Sequence, residues 1–205
     1  MKRNIKYWQN EGAQKTFTHE IEMEWIENIN KASQILDLGC GYGRITTELY
    51  KKGFENIIGF DPSVPLIERA INENPGPVYT ANEKIFDRIH FDLIICFAIF
   101  TSCPANEEQA ELKKLINSHT IDGALVYISD CMTADNPHYN ERYEERKLST
   151  YGCFVSGENG IFRHHELNHF DDMFSSWTKL KEHKVDSKTF NRNDIIISQY
   201  LYKKG

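Results

Sequence analysis

An α/β fold built on a doubly wound, mostly parallel sheet with helices on both faces follows from three features of the sequence. Short apolar strand-like runs alternate with helical segments over most of the chain. A glycine-rich loop stands directly after the first of those runs. Near the C-terminus the alternation gives way to two strand-like runs in succession, and the short turn between them requires an antiparallel hairpin. With 205 residues, 40% hydrophobic and 26% charged, the chain is expected to form one packed domain with a modest insertion.

The elements are justified in order. Residues 20–30 read as a helix with Ile21, Trp25 and Ile29 on one face. Residues 34–38 are a short apolar strand, and residues 45–52 a helix that Gly53 ends. A second strand covers 56–60 and a second helix 63–73; Asn74-Pro75-Gly76-Pro77 then breaks the chain before a brief strand at 78–80. Residues 91–97 form a near-continuous apolar run, as a central parallel strand buried on both faces should. Residues 106–118 are a helix with Asn106 as N-cap and Glu107 and Glu108 in its first turn, and 123–129 a further strand. A helix near 166–177 precedes the hairpin, whose strands at 179–190 and 195–202 flank Asn191-Arg192-Asn193-Asp194. Residues 131–163 fit neither pattern and read as an insertion.

Composition narrows the function. The longest apolar run, from Leu93 to Phe100, is far short of the roughly 20 residues a membrane helix needs. No apolar stretch follows the basic residues at the N-terminus, so no signal peptide is visible. The five cysteines contain no C-x-x-C, which points to a reduced, cytoplasmic protein. The formal charge is −6 and the basic residues are scattered, without the stripe that binds nucleic acid. The expected partner is a small-molecule substrate, with neither nucleic acid nor membrane, for a monomer or homodimer.

The strongest chemical signal is Asp37-Leu38-Gly39-Cys40-Gly41-Tyr42-Gly43-Arg44. Glycines directly after a strand allow a tight turn and close backbone approach to a ligand at a helix N-terminus. Such a loop also serves dinucleotides, or is an ordinary turn. Here the last position of the dinucleotide fingerprint is Arg44, and Asp37 would repel a diphosphate while attracting a cationic amino acid. S-adenosylmethionine has an ammonium, a sulfonium and no phosphate. At the end of the second strand, Asp61-Pro62-Ser63 offers an acid that can accept hydrogen bonds from both ribose hydroxyls, or a helix-leading turn.

Over residues 33–130 the sequence resembles class I S-adenosylmethionine-dependent methyltransferases. The glycine loop, Asp61, the strand Phe91-Asp92-Leu93-Ile94-Ile95-Cys96 and the strand from Gly123 to Asp130 carry the resemblance. The hairpin tail matches that family's seven-stranded Rossmann-like sheet with its antiparallel last strand. The resemblance implies a single domain, 1–205: an N-terminal lid or helix (1–30), a cofactor-binding core (33–130), a cap (131–163), and a final helix with the hairpin (164–205). It implies that Asp37, Gly39, Cys40, Gly41 and Gly43 hold the methionine part and Asp61, Pro62 and Ser63 the ribose. Phe97 and Ala98 are expected to border the adenosine or the methionine tail. Ala81, Asn82 and Glu83 stand where the family contacts the adenine amino group, but the family's usual Gly-Asp is absent there. The implied activity is methyl transfer to a small molecule, with S-adenosylhomocysteine as product.

Other residues are candidates for the acceptor side. His19, His164 and His165 could take a proton from an acceptor. Tyr7, Trp8 and Phe17 precede the core and could fold over the cofactor, or could staple the N-terminus to the sheet. Tyr139 and Tyr143, spaced to share a helix face, could cap the acceptor together with Phe100, or form a satellite core. His165-Glu166-Leu167-Asn168-His169 matches a zinc-protease signature, but it follows a complete core with little chain left to supply a third ligand, so no metal is expected. Cys103 precedes Pro104, and Phe97-Ala98-Ile99-Phe100 stands where amino-directed DNA methyltransferases carry Asn/Asp-Pro-Pro-aromatic, which argues against nucleobase acceptors. The rivals are a non-catalytic S-adenosylmethionine-binding module, a nicotinamide-dependent oxidoreductase and a zinc hydrolase acting through His165, Glu166 and His169.

Overall fold

The structure, a computed structural model, describes residues 3–16, 19–87, 89–188 and 193–205. The chain enters through helix α1 (Ile5–Gln9) and a 3-10 turn (Glu11–Gln14). The core follows as β1 (Ile35–Leu38), α2 (Arg44–Lys51), β2 (Ile57–Phe60), α3 (Val64–Glu73), β3 (Val78–Thr80), β4 (Phe91–Phe97), α4 (Ile99–Ser102), α5 (Asn106–Ser118) and β5 (Thr120–Met132). Then come α6 (Pro137–Glu144), a small hairpin of β6 (Cys153–Val155) and β7 (Ile161–Arg163), α7 (His169–Met173), and the last two strands, β8 (Thr178–Lys188) and β9 (Asp194–Lys203).

Seven strands form one sheet in the order β3-β2-β1-β4-β5-β9-β8. The pairs among β1 to β5 are parallel; β9 runs antiparallel to both β5 and β8. This is the mostly parallel sheet with a terminal antiparallel hairpin that the sequence predicts. Period-two alternation splits the apolar residues between its faces. Leu36, Ile94, Cys96, Val126 and Ile128 pack with α4, α5 and α7, through Phe100, Leu112, Ile116 and Phe170. Ile35, Leu93, Ile95 and Tyr127 point the other way, toward Ile45 and Leu49 of α2 and toward Ile21 and Ile26. No helix among the described residues is long and apolar enough to cross a membrane. The exposed edge strand β8 carries Lys179, Lys181, Lys184 and Lys188, charges that discourage pairing with another sheet.

Four elements differ from the sequence reading. Residues 20–30 contain only a 3-10 turn, Met23–Trp25, in place of a helix. Sheet side chains capture their backbone: Glu22 N–H donates to the Tyr127 hydroxyl at 2.8 Å, and Gln199 Nε2 donates to the Glu20 carbonyl at 2.9 Å. Asn106 is the first residue of α5 rather than its cap; its Oδ1 accepts from Arg163 Nη1 at 2.8 Å. The helix near 166–177 shortens to α7, because Trp177 N–H bonds the Phe174 carbonyl and tightens the chain into β8. Finally, β5 continues through Met132, so the insertion begins two residues later than its sequence suggests. The middle of the hairpin turn, Asn191 and Arg192, lies outside the described residues.

Candidate active site

β1 lies between β2 and β4, the point at which the strand order reverses, and in such sheets a crevice opens beyond the carboxyl ends of the strands. The glycine loop fills one side of it. Gly39 and Cys40 N–H groups donate to the Phe60 carbonyl at 2.8 and 3.0 Å, which ties the loop to the end of β2. Gly39 and Gly43 have φ of +79° and +81°. A Cβ at Gly39 would meet the Ile99 side chain at 2.8 Å and one at Gly43 would meet the Tyr79 ring at 2.6 Å, so glycine is needed at both on two counts.

Two buried carboxylates face this crevice. Asp37 Oδ2 accepts from Thr46 Oγ1 at 2.6 Å, and burial pushes its carboxyl up to about 6. Asp61 Oδ2 accepts from Gly41 N–H at 3.1 Å and its Oδ1 from Ser63 N–H at 2.8 Å; burial raises it as well to about 6. Among the described residues neither carboxylate has a salt-bridge partner. A buried, uncompensated anion is costly, so both suit a ligand that brings positive charge or hydroxyl donors.

The opposite wall comes from the N-terminal leader, residues 3–16, and the β6–β7 hairpin of the insertion. Ser63 Oγ donates to the Trp8 carbonyl at 3.0 Å, and Arg69 Nη1 donates to the Ala13 and Lys15 carbonyls, each at 3.0 Å, so α3 holds the leader in place. The leader in turn grips the β6–β7 hairpin. Asn4 Oδ1 accepts from Ile161 N–H at 3.1 Å, Tyr7 OH donates to Glu158 at 3.1 Å, and Lys15 pairs with Glu158. Phe162 meets Tyr7 edge-on at 5.2 Å between ring centroids.

Between these walls lie three neighbouring spaces that share lining residues. Two small lobes over the glycine loop, of about 80 and 50 Å³, are lined by Gly39, Gly41 and Phe97 in common; Asp61, Pro62 and Ala98 border one, Asp37 and Cys40 the other. Beyond them lies a cavity of about 630 Å³ between leader and insertion, within the range of small-molecule pockets. Trp8 borders all three spaces, and Ala98 and Ser102 border both the larger lobe and the cavity.

The residues singled out from the sequence divide accordingly. Asp37, Gly39, Cys40, Gly41, Asp61, Pro62, Phe97 and Ala98 come together at the lobes, with Gly43 at the end of the loop; Ser63 is buried behind them. Ala81, Asn82 and Glu83 border neither lobe; Asn82 is exposed, and its Oδ1 accepts from Lys84 N–H in a local turn. Tyr7, Trp8, His19, Tyr139 and His164 border the large cavity. His19 stacks on Phe97 at 4.3 Å, its Nε2 is buried without a hydrogen-bond partner among the described residues, and burial with the nearby Arg44 pushes it down to about 3.

Three residues fall elsewhere. Tyr143 stands behind the lining, its hydroxyl bonded to His164 Nδ1 at 2.7 Å. Phe100 is a core residue, edge-on to Phe170 at 5.2 Å. His165 is fully buried, stacked on His169 at 4.5 Å and away from the cavity. Phe17 lies outside the described residues. Among the described residues no three His, Cys, Asp or Glu side chains are grouped to hold a metal. The cavity lining also includes Phe154 and Phe162, aromatics of the insertion that the sequence offers as part of a cap, and Lys15, Thr101, Cys131 and Arg142, which sequence reasoning did not assign to the site. These four come from separate segments and have no common spacing.

Residues 11–177 match the family described as methyltransferase domain. No curated protein matches the chain at the level of sequence. Among solved structures, an S-adenosylmethionine-dependent methyltransferase from Methanosarcina mazei superposes with a TM-score of 0.79 at 20% identity, covering 91% of this chain and 99% of its own. Magnesium protoporphyrin IX methyltransferase from Synechocystis PCC 6803, solved with bound S-adenosylmethionine, gives 0.66 at 12%, covering 98% and 94%. The N-methyltransferase NodS from Bradyrhizobium japonicum WM9, solved with S-adenosyl-L-homocysteine, gives 0.59 at 12%, covering 84% and 79%. At such identities the likeness to these three is one of fold.

Proposed function

The chain belongs to the methyltransferase domain family, whose cofactor is S-adenosylmethionine, and from that premise we propose that it methylates a small molecule enclosed between the leader and the insertion. The observation that carries the reading is the adjacency of the groove over the glycine loop and the 630 Å³ cavity, which share Trp8, Ala98 and Ser102 in their linings. A macromolecular acceptor would need an open face there, and the leader is bonded to the hairpin across it.

The residues present fit the cofactor. Asp37 and Asp61 are buried carboxylates without a salt bridge among the described residues, the first suited to an ammonium and the second to a pair of ribose hydroxyls. When bound, S-adenosylmethionine supplies a sulfonium whose methyl group is already activated for displacement, so the protein's contribution is alignment and exclusion of water. Trp8 and Phe97 line the groove, with His19 stacked on the Phe97 ring at 4.3 Å and the Arg44 guanidinium over the same ring at 5.1 Å. His19 stays neutral at physiological pH, and its unpartnered Nε2 can accept a hydrogen bond from an acceptor O–H or N–H and orient it. With so low a pKa it is a weak base, suited to positioning more than to full proton removal.

The test is release of S-adenosylhomocysteine from S-adenosylmethionine during incubation with a metabolite extract, with a methyl-sized mass gain sought in the small-molecule fraction. A gain confined to protein or nucleic acid would reject the small-molecule reading. Tight cofactor binding without turnover of any acceptor would favour a non-catalytic binding module.

A further inference from the structure

The large cavity has a charge pattern that the chain as a whole does not. The sequence carries 30 acidic and 24 basic residues. Yet the described cavity lining contains Lys15, Arg142 and Lys188 and neither Asp nor Glu. Two of the three cations are spoken for: Lys15 pairs with Glu158, and Lys188 with Asp194. The basic residues that follow α6 are also paired, Arg146 with Glu144 and Lys147 with Glu145. Arg142 is different. It is half-buried on the cavity side of α6, and among the described residues no carboxylate lies within salt-bridge distance of it.

A half-buried guanidinium bordering the cavity, with Glu144 of its own helix paired instead to Arg146, is placed to hold an anion. Its surroundings say what else the ligand carries. Tyr139, Phe154 and Phe162 border the same space, so an apolar or aromatic body fits beside the charge. Arg142 also comes from an element that contributes nothing to either lobe over the glycine loop. A ligand held by its anionic group at α6 can therefore direct its other end toward Trp8 and Ala98, where the groove and the cavity meet.

We propose that the acceptor is an organic anion with an apolar or aromatic body, its carboxylate or phosphate held by Arg142. This rests on the reading of the cavity as the acceptor site. The anionic group is the handle and not the methylated atom, because the guanidinium fork occupies its oxygens.

The experiment titrates the full-length protein with matched probes: 4-hydroxybenzoate and phenyl phosphate as anions, 4-hydroxybenzamide and phenol as their uncharged counterparts. Each titration is run with and without saturating S-adenosylhomocysteine. At least one anion should bind tenfold or more tightly than its uncharged counterpart. Arg142→Gln should remove that preference and Arg142→Lys restore part of it, with S-adenosylhomocysteine affinity unchanged. The two anions separate a carboxylate site from a phosphate site. Equal binding of charged and uncharged probes, binding of none of them, or a preference that survives Arg142→Gln overturns the proposal. Failure to bind S-adenosylhomocysteine would instead count against the cofactor reading, since the anion preference is also read without it.

Discussion

The sheet wall of the cleft is set by backbone, and the cover wall by side chains that meet from distant parts of the chain. On the sheet side, three glycines in the left-handed region and two buried carboxylates are fixed by segments a few residues long. On the cover side, Asn4 reaches Ile161, Tyr7 reaches Glu158 and α3 holds the leader through Arg69. A wall made by backbone tolerates almost no substitution at its turns. A wall made by side chains can change its chemistry piecemeal, which suits the part of an enzyme that chooses an acceptor.

The largest expected effect sharpens that contrast. Gly39→Val must adopt a positive φ and press on Ile99, and should cost about 2–5 kcal/mol of stability and abolish S-adenosylhomocysteine binding. Gly157→Ala, on the cover, meets nothing within 4 Å and has no positive φ, so its stability should shift by less than about 0.5 kcal/mol. Denaturation curves and calorimetry measure both, and similar costs at the two positions would erase the distinction.

Asp61→Ala comes next. It strips the acceptor from the Gly41 and Ser63 N–H groups, so it should lower stability by about 1–3 kcal/mol and cofactor affinity more than tenfold. Affinity within twofold of the parent would reduce Asp61 to a turn residue.

A smaller effect is expected from pH. Burial raises Asp37 to about 6 in the cofactor-free protein. Above pH 7 the carboxylate is ionised and affinity for S-adenosylhomocysteine should be flat. As pH falls through 6 the group takes up a proton, its attraction for the ligand ammonium is lost, and affinity should decline by up to about tenfold per unit. The same titration on Asp37→Asn should show weaker binding and a flatter profile; an unchanged profile would assign the pH dependence elsewhere.

The smallest effect belongs to the cover. Tyr139 lines the cavity and stacks on Tyr143 at 5.7 Å. Tyr139→Leu should raise the acceptor KM several-fold and leave S-adenosylhomocysteine affinity alone. Equal losses in both would mean that the cover belongs to the cofactor site.

The same division explains what could be read from the amino-acid order. Strand periodicity predicted the sheet, and the Asp37 to Arg44 run predicted the loop over which the lobes lie, because local sequence determines both. The hairpin was legible from its short turn. Residues 20–30 misled because Tyr127 and Gln199, far along the chain, bind their backbone and override a helical pattern. Phe100 and His165 resembled site residues by type and neighbourhood, but only the packing of α4 and α7 on the sheet shows that both are interior. Arg142 and Lys15 carry no motif at all; their shared cavity exists only once the insertion has folded against the leader.

The most direct test of the central claim is the structure of the protein with S-adenosylhomocysteine bound. The account predicts the ribose at Asp61, the amino group toward Asp37, and the sulfur near Trp8 and Ala98, facing the enclosed cavity. A ligand elsewhere, or a sulfur that faces open solvent with the leader and hairpin apart, would contradict it.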